Sequence, residues 1–168
     1  MTNSSNPAQN NAAEAPDSQF MIQRIYIKNL SFETTNTPTI FQQKWEPELN
    51  LDLNTQHTKL EETVYEVSLT VTATVKNSLA IAFLVEVQQA GIFTIHGPSE
   101  EQLAHLLNSF CPSLLFPYAR EVISSEVIRG SFPQLVLAPI NFDALYMQQL
   151  EEKQKLSSSK ATDDATEH

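Results

Sequence analysis

The side chains able to do chemistry make a short inventory, and most of it fails on spacing. Glu61 with Glu62 and Glu100 with Glu101 are adjacent pairs, and neighbours in sequence diverge on a helix or a strand, so neither pair can work on one substrate as acid and base. Cys111 is the single cysteine, which excludes a disulfide or a thiolate-rich metal site within one chain. Its position before Pro112 in an apolar run predicts a buried, unreactive thiol with a raised pKa. His57, His96, His105 and His168 lie far apart, with no second ligand at metal spacing. Gly91, Gly97 and Gly130 cannot form a phosphate loop, and no serine sits in a G-x-S-x-G elbow. What remains is apolar. The polar segment "ETTNTPTIFQQKWEPE" carries Phe41 and the only tryptophan, Trp45, and a large aromatic in a long loop is costly in water unless covered or used. Either Trp45 pins the loop to the core, or Phe41 and Trp45 face the last helix across a groove that takes extended apolar peptide. The expected chemistry is therefore binding, with no catalysis, cofactor or metal.

The elements that position these residues fit one domain. The chain has 168 residues, 41% of them hydrophobic, and a formal charge of −10, which disfavours nucleic acid and favours a basic or zinc-bearing protein surface as partner. No stretch has the roughly 18 to 20 consecutive apolar residues of a membrane span, and the first twenty residues lack the pattern of a secretory signal, so a cytoplasmic protein without membrane insertion is expected. Residues 1–19 and 154–168 read as mobile tails, the second acidic, around a domain over 20–153.

Within that domain "VYEVSLTVTATV" alternates Tyr65, Val67, Leu69, Val71, Ala73 and Val75 with Glu66, Ser68 and threonines, the signature of a half-buried antiparallel strand. "LNLDLN" repeats it with Leu49, Leu51 and Leu53. The runs 20–32 and 80–95 carry apolar residues at positions of both parities, which predicts two covered faces and hence an oligomer. Ser99 with Gln102 forms a capping box. Leu103, Leu106, Leu107 and Phe110 follow at helical spacing, Cys111 and Pro112 interrupt, a second segment is kinked at Pro117, and Arg129 with Gly130 closes it. Asn141 caps a last helix of about a dozen residues, marginal by itself.

Taken together, "IQRIY", "VYEV", "FLVEVQQAGIF", "CPSLLFPYARE" and "RGSFPQLVLAPINFDALYM" resemble the bacterial protein-export chaperone family SecB over roughly residues 20–150. The resemblance implies an α+β fold: a four-stranded antiparallel sheet, a long broken helix and a short C-terminal helix, assembled as a dimer of dimers. It implies an ATP-independent cytosolic holding chaperone that binds unfolded secretory precursors and delivers them to the translocation motor SecA. Carried over by position, the SecA-binding surface falls on Glu33, Leu84 and Glu86, with Asn29 standing where the family usually has an acid. Tetramer-associated positions fall on Val85, Val87 and Gln89. The client groove falls along the loop and last helix, with Phe41, Trp45, Leu145 and Met147 as lining. Rival readings are a hot-dog-like acyl-thioester hydrolase, disfavoured because the helical signals follow the strands, and a SecB-like chaperone with one dedicated client.

Overall fold

Residues 18–163 are described in the computed structural model, with side chains through residue 158; the expected N-terminal tail lies outside them up to residue 17. Strands β1 (Gln19–Glu33), β2 (Pro47–Lys59), β3 (Val64–Asn77) and β4 (Ala80–His96) form one antiparallel sheet in the order β1-β4-β3-β2. β3 behaves as its alternation dictates: Val67, Leu69, Val71 and Ala73 are fully buried on one face, and Thr70, Thr72 and Thr74 are partly exposed on the other.

β1 corrects the expectation of apolar residues on two faces. Its register against β4 slips between Ile22 and Arg24 and again between Ile27 and Asn29, so Gln23 and Lys28 are bulge residues. Each bulge inserts one residue and inverts the parity of the strand beyond it. As a result Phe20, Ile22, Ile25, Ile27, Leu30 and Phe32 pair with Ile95, Phe93, Gly91, Gln89, Val87 and Val85 and share the inner face. Two phase shifts made a one-sided strand look two-sided.

One cover lies on that inner face. α1 (Glu100–His105), a π-helical turn (Leu106–Phe110) and α2 (Cys111–Arg129) run in succession. The capping box is present, with Gln102 N–H donating to Ser99 Oγ at 3.3 Å and Ser99 N–H to Gln102 Oε1 at 2.9 Å. The interruption expected at Cys111 and Pro112 takes the form of the π turn: Cys111 N–H reaches back to the Leu106 carbonyl, and φ and ψ stay helical at His105, Phe110 and Cys111. The helical assignment also continues through Pro117. Leu115, Ala119, Ile123 and Val127 are fully buried against the sheet, and burial pushes the Cys111 thiol up to about 12. α2 packs on β4 and β3. Over β1, Phe20, Ile22, Ile27 and Leu30 remain exposed.

α3 (Phe142–Asp163) is capped as expected, Ala144 N–H donating to Asn141 Oδ1 at 3.0 Å. Its 22 residues exceed the dozen expected and extend to residue 163, past position 154 where an unstructured tail was expected to begin. Among the described residues no helix is long and apolar enough to cross a membrane, and no group of three or more histidine, cysteine or acidic side chains could hold a metal.

Candidate functional site

Because β1 and β2 occupy opposite edges of the sheet, residues 34–46 must cross its end, passing the β3–β4 turn. That crossing segment carries a 3-10 turn, Thr39–Gln42, which buries Ile40 and leaves Phe41 50% exposed. Phe41 and Trp45 converge on Phe132, with ring centroids 5.1 and 5.9 Å from it. Phe83 and Phe32 approach the same ring from the sheet at 4.9 and 6.5 Å.

Phe132 is the residue that reading the sequence missed, and the end of α2 explains its place. Ser131, at φ 64°, is left-handed; its N–H donates to the Ile128 carbonyl at 3.0 Å and Phe132 N–H to the Val127 carbonyl at 3.2 Å. These are the two bonds of a Schellman stop, in which an apolar residue just past the left-handed one folds back on the last turn. The available signal was an aromatic two residues after Gly130. Gly130 itself has ordinary φ, and its role is spatial: a Cβ there would lie 2.5 Å from Phe32 Cζ.

The expected groove divides in two. Trp45 lines a small cleft of about 110 Å³ with Pro47, Leu49, Val75, Phe83 and the 133–135 segment. Leu145 lines a separate cleft of about 290 Å³ with Leu51, Leu53, Thr55, Asn108, Phe142, Tyr146 and Gln149. Phe41 and Trp45 therefore gather around Phe132, and the α3 wall stands further along the inner face of β2. Leu49 and Thr55 are six residues apart, about 20 Å along a strand. Met147, about 200° round the helix from Leu145, is exposed and does not line the Leu145 cleft.

α3 is seated by a polar joint at its first turn. Asp143 Oδ1 accepts from Ser109 Oγ and lies 2.8 Å from His105 Nε2. Hydrogen bonds from Ser109 and then His105 hold the Asp143 carboxyl below its usual range. Phe142 packs edge-on against Phe116 at 5.8 Å. Ser109 is presented by the π turn, which links the irregularity in the helix to the placement of α3.

On the outer face the register joins another expected set. Asn29, Ser31 and Glu33 of β1 stand opposite Gln88, Glu86 and Leu84 of β4, and Thr72 Oγ1 donates to Glu86 Oε2 at 2.9 Å. Asn29, Glu33, Leu84 and Glu86 thus form one patch on an open, polar sheet face. Further along it Tyr26 Oη donates to Glu66 Oε2, and Lys28 Nζ donates to Glu66 Oε1 at 2.6 Å. Hydrogen bonds from Lys28 and Tyr26 hold the Glu66 carboxyl low. Burial, followed by the hydrogen bond and charge of Glu66, raises Tyr26 to about 12. Lys28 reaches Glu66 from a bulge, so this trio could not be found by alternation.

Val85, Val87 and Gln89 point to the opposite face, beneath α2, with exposures of 0%, 0% and 3%. These positions, expected at the tetramer interface, are therefore core side chains that a second copy does not touch directly. Gln89 Nε2 donates to the Tyr26 carbonyl at 3.0 Å, beside the second bulge.

Comparison with known proteins agrees with this architecture. Residues 12–153 match the family model described as SecB, preprotein translocase subunit SecB. The chain is 74% identical over 144 residues to "Protein-export protein SecB" of Legionella pneumophila strain Philadelphia 1, covering 86% of this chain and 89% of that one. Identity and coverage are the same for the strain Corby protein. Among solved structures, the SecB-like chaperone Rv1957 of Mycobacterium tuberculosis, in complex with a ChAD peptide from the Rv1956 HigA1 antitoxin, superposes with a TM-score of 0.62 at 18% identity, over 72% of this chain and 90% of that one. That likeness concerns the fold, whereas the family model and the close relatives span nearly the whole domain, sheet, helices and crossing loop included: the chain belongs to the SecB family.

Proposed function

We propose that this protein is a holding chaperone of protein export, which keeps secretory precursors unfolded in the cytosol and passes them to SecA. The observation that carries the reading is the aromatic surface around Phe132, where Phe41 stays half exposed beside Trp45. An unfolded chain offers apolar segments and unpaired backbone, and burying them at about 25 cal/mol per Å² gives affinity with little demand on sequence. A folded protein offers neither. The Leu145 cleft lies on the same β2 face, so one extended client can engage both sites, and several copies in an assembly add avidity.

Two features support a homotetramer built as a dimer of dimers. Ile22, Ile27 and Leu30 line the inner face of β1 and stay exposed, and Tyr118 and Ile128 are exposed on the helical layer. On the outer face, Glu33, Leu84, Glu86 and Asn29 form the proposed SecA surface, with Asn29 contributing an amide in place of a charge.

The test is binding of a denatured secretory precursor, diluted into the protein without nucleotide, compared with the same precursor folded. Trp45→Ala should weaken the unfolded client while native mass spectra show the same oligomer; unchanged affinity would reject the groove. Glu86→Lys should lose SecA in a titration while client binding stays as it was, and equal SecA affinity would reject that patch.

A further inference from the structure

Trp45 does not hold its position through ring contacts alone. The side chain of Asn77, the last residue of β3 and fully buried, reaches into the crossing loop. Its Oδ1 accepts from Glu46 N–H at 2.7 Å, and its Nδ2 donates to the Lys44 carbonyl at 3.0 Å and to Gln43 Oε1 at 3.4 Å. The Lys44 carbonyl belongs to the peptide group before Trp45, and the Glu46 N–H to the one after it. Both peptide groups that bracket the tryptophan are therefore held by one amide. At the far end of the same loop, Asn36 Nδ2 donates to the Ile81 carbonyl at 2.9 Å, just past the two-residue turn Ser78–Leu79 between Asn77 and Ala80.

The chemistry of the clasp is specific to a carboxamide. One oxygen must accept and one nitrogen must donate from the same short stem, which aspartate, serine or leucine cannot reproduce. A fully buried polar side chain at a strand end is costly unless its bonds are made, and the backbone partners here are the Lys44 carbonyl and the Glu46 N–H on either side of Trp45. A loop of this kind would otherwise sample many conformations, and ordering a binding surface at the moment of contact subtracts from affinity.

We infer that Asn77 is a positioning residue for client recognition: it pre-organises the Trp45 loop, so that the indole and the half-exposed Phe41 present a ready site for apolar side chains of an unfolded chain. This rests on the reading of the Trp45 surface as client site.

Trp45 is the only tryptophan, so its emission reports on the clasp without labelling. The experiment compares wild type, Asn77→Leu and Asn77→Asp, each checked for oligomer mass and cooperative unfolding, by Trp45 emission, acrylamide quenching and affinity for an extended phenylalanine-containing peptide. In Asn77→Leu, the emission should shift to the red, quenching should rise, and peptide affinity should fall roughly tenfold as loop order is lost. Asn77→Asp keeps the acceptor for Glu46 N–H and should fall between. Should Asn77→Leu not fold, Asn77→Asp carries the same test. Unchanged emission and quenching in the folded variants would overturn the clasp. If those signals move while peptide affinity holds, the positioning role is overturned. Loss of the client site itself is distinguishable, since Trp45→Ala would then leave peptide affinity intact.

Discussion

Phe132→Ala removes the ring on which the Phe32, Phe41, Trp45 and Phe83 rings converge. Phe132 is 6% exposed, and truncating a buried phenylalanine costs about 3 to 5 kcal/mol. The lower end applies, because half-exposed Phe41 and the open cleft at Trp45 let water enter the void. A loss of about 3 kcal/mol corresponds to a fall in melting temperature of about 6 to 12 °C at this chain length. The assay is urea unfolding followed by far-ultraviolet circular dichroism at fixed protein concentration, since the stability of an oligomer depends on concentration. Trp45 emission is recorded beside it and should move to the red. In a double-mutant cycle with Trp45→Ala, the rings should couple by about 0.5 to 1.5 kcal/mol, as aromatic pairs do. A loss under about 1 kcal/mol with unmoved Trp45 emission would refute Phe132 as the centre of this surface, and zero coupling would make the two rings mere neighbours.

Adjacent substitutions at the end of α2 should have opposite signs in the same melts: Gly130→Ala loses about 1 to 3 kcal/mol because its Cβ meets the Phe32 ring at 2.5 Å, and Ser131→Gly gains up to about 1 kcal/mol by relieving a left-handed serine at φ 64°. Propensity alone would predict a gain at position 130, so the sign there decides between space and backbone. The Tyr26–Glu66–Lys28 trio should stabilise between two pH limits. Glu66 is held low, so its contribution is present above the ordinary glutamate range and disappears as acid titrates the folded carboxyl. Tyr26 is raised to about 12, so its contribution is present below about pH 10 and disappears as pH climbs towards 12. An ultraviolet titration should find Tyr26 ionising late, and Glu66→Gln should bring it earlier; a titration unchanged by Glu66→Gln would refute the coupling. Asp143→Asn should loosen the start of α3, seen as faster amide exchange at residues 142–149, and equal exchange rates would show that the Asp143 charge does not seat the helix.

Local signals carried much of this protein. The alternation of Tyr65 to Val75, the capping box at Ser99 and the cap at Asn141 depend on residues a few positions apart, and each stands in the structure as the sequence predicts. The grouping of Leu84 with Glu86, and of Asn29 with Glu33, came from the family resemblance, and period two agrees with it because no bulge falls within either pair. Trp45 as an aromatic worth explaining was also legible, since a lone tryptophan in a polar loop stands out by composition.

Only the tertiary structure decided where phase and distance matter. The bulges at Gln23 and Lys28 exist because β1 must keep its apolar set inward against β4, and a bulge leaves no mark in a one-residue alternation except apparent disorder in the pattern. The π turn before Cys111 presents Ser109 to an aspartate that lies beyond the end of α2 in the chain. Phe132 gathers rings from the first strand, the crossing loop and the fourth strand, and Asn77 clasps a loop more than thirty residues before it. Such contacts depend on which segments the fold brings together, and that is fixed by the burial of β3 and β4 under α2, a cooperative outcome that no short window of residues contains.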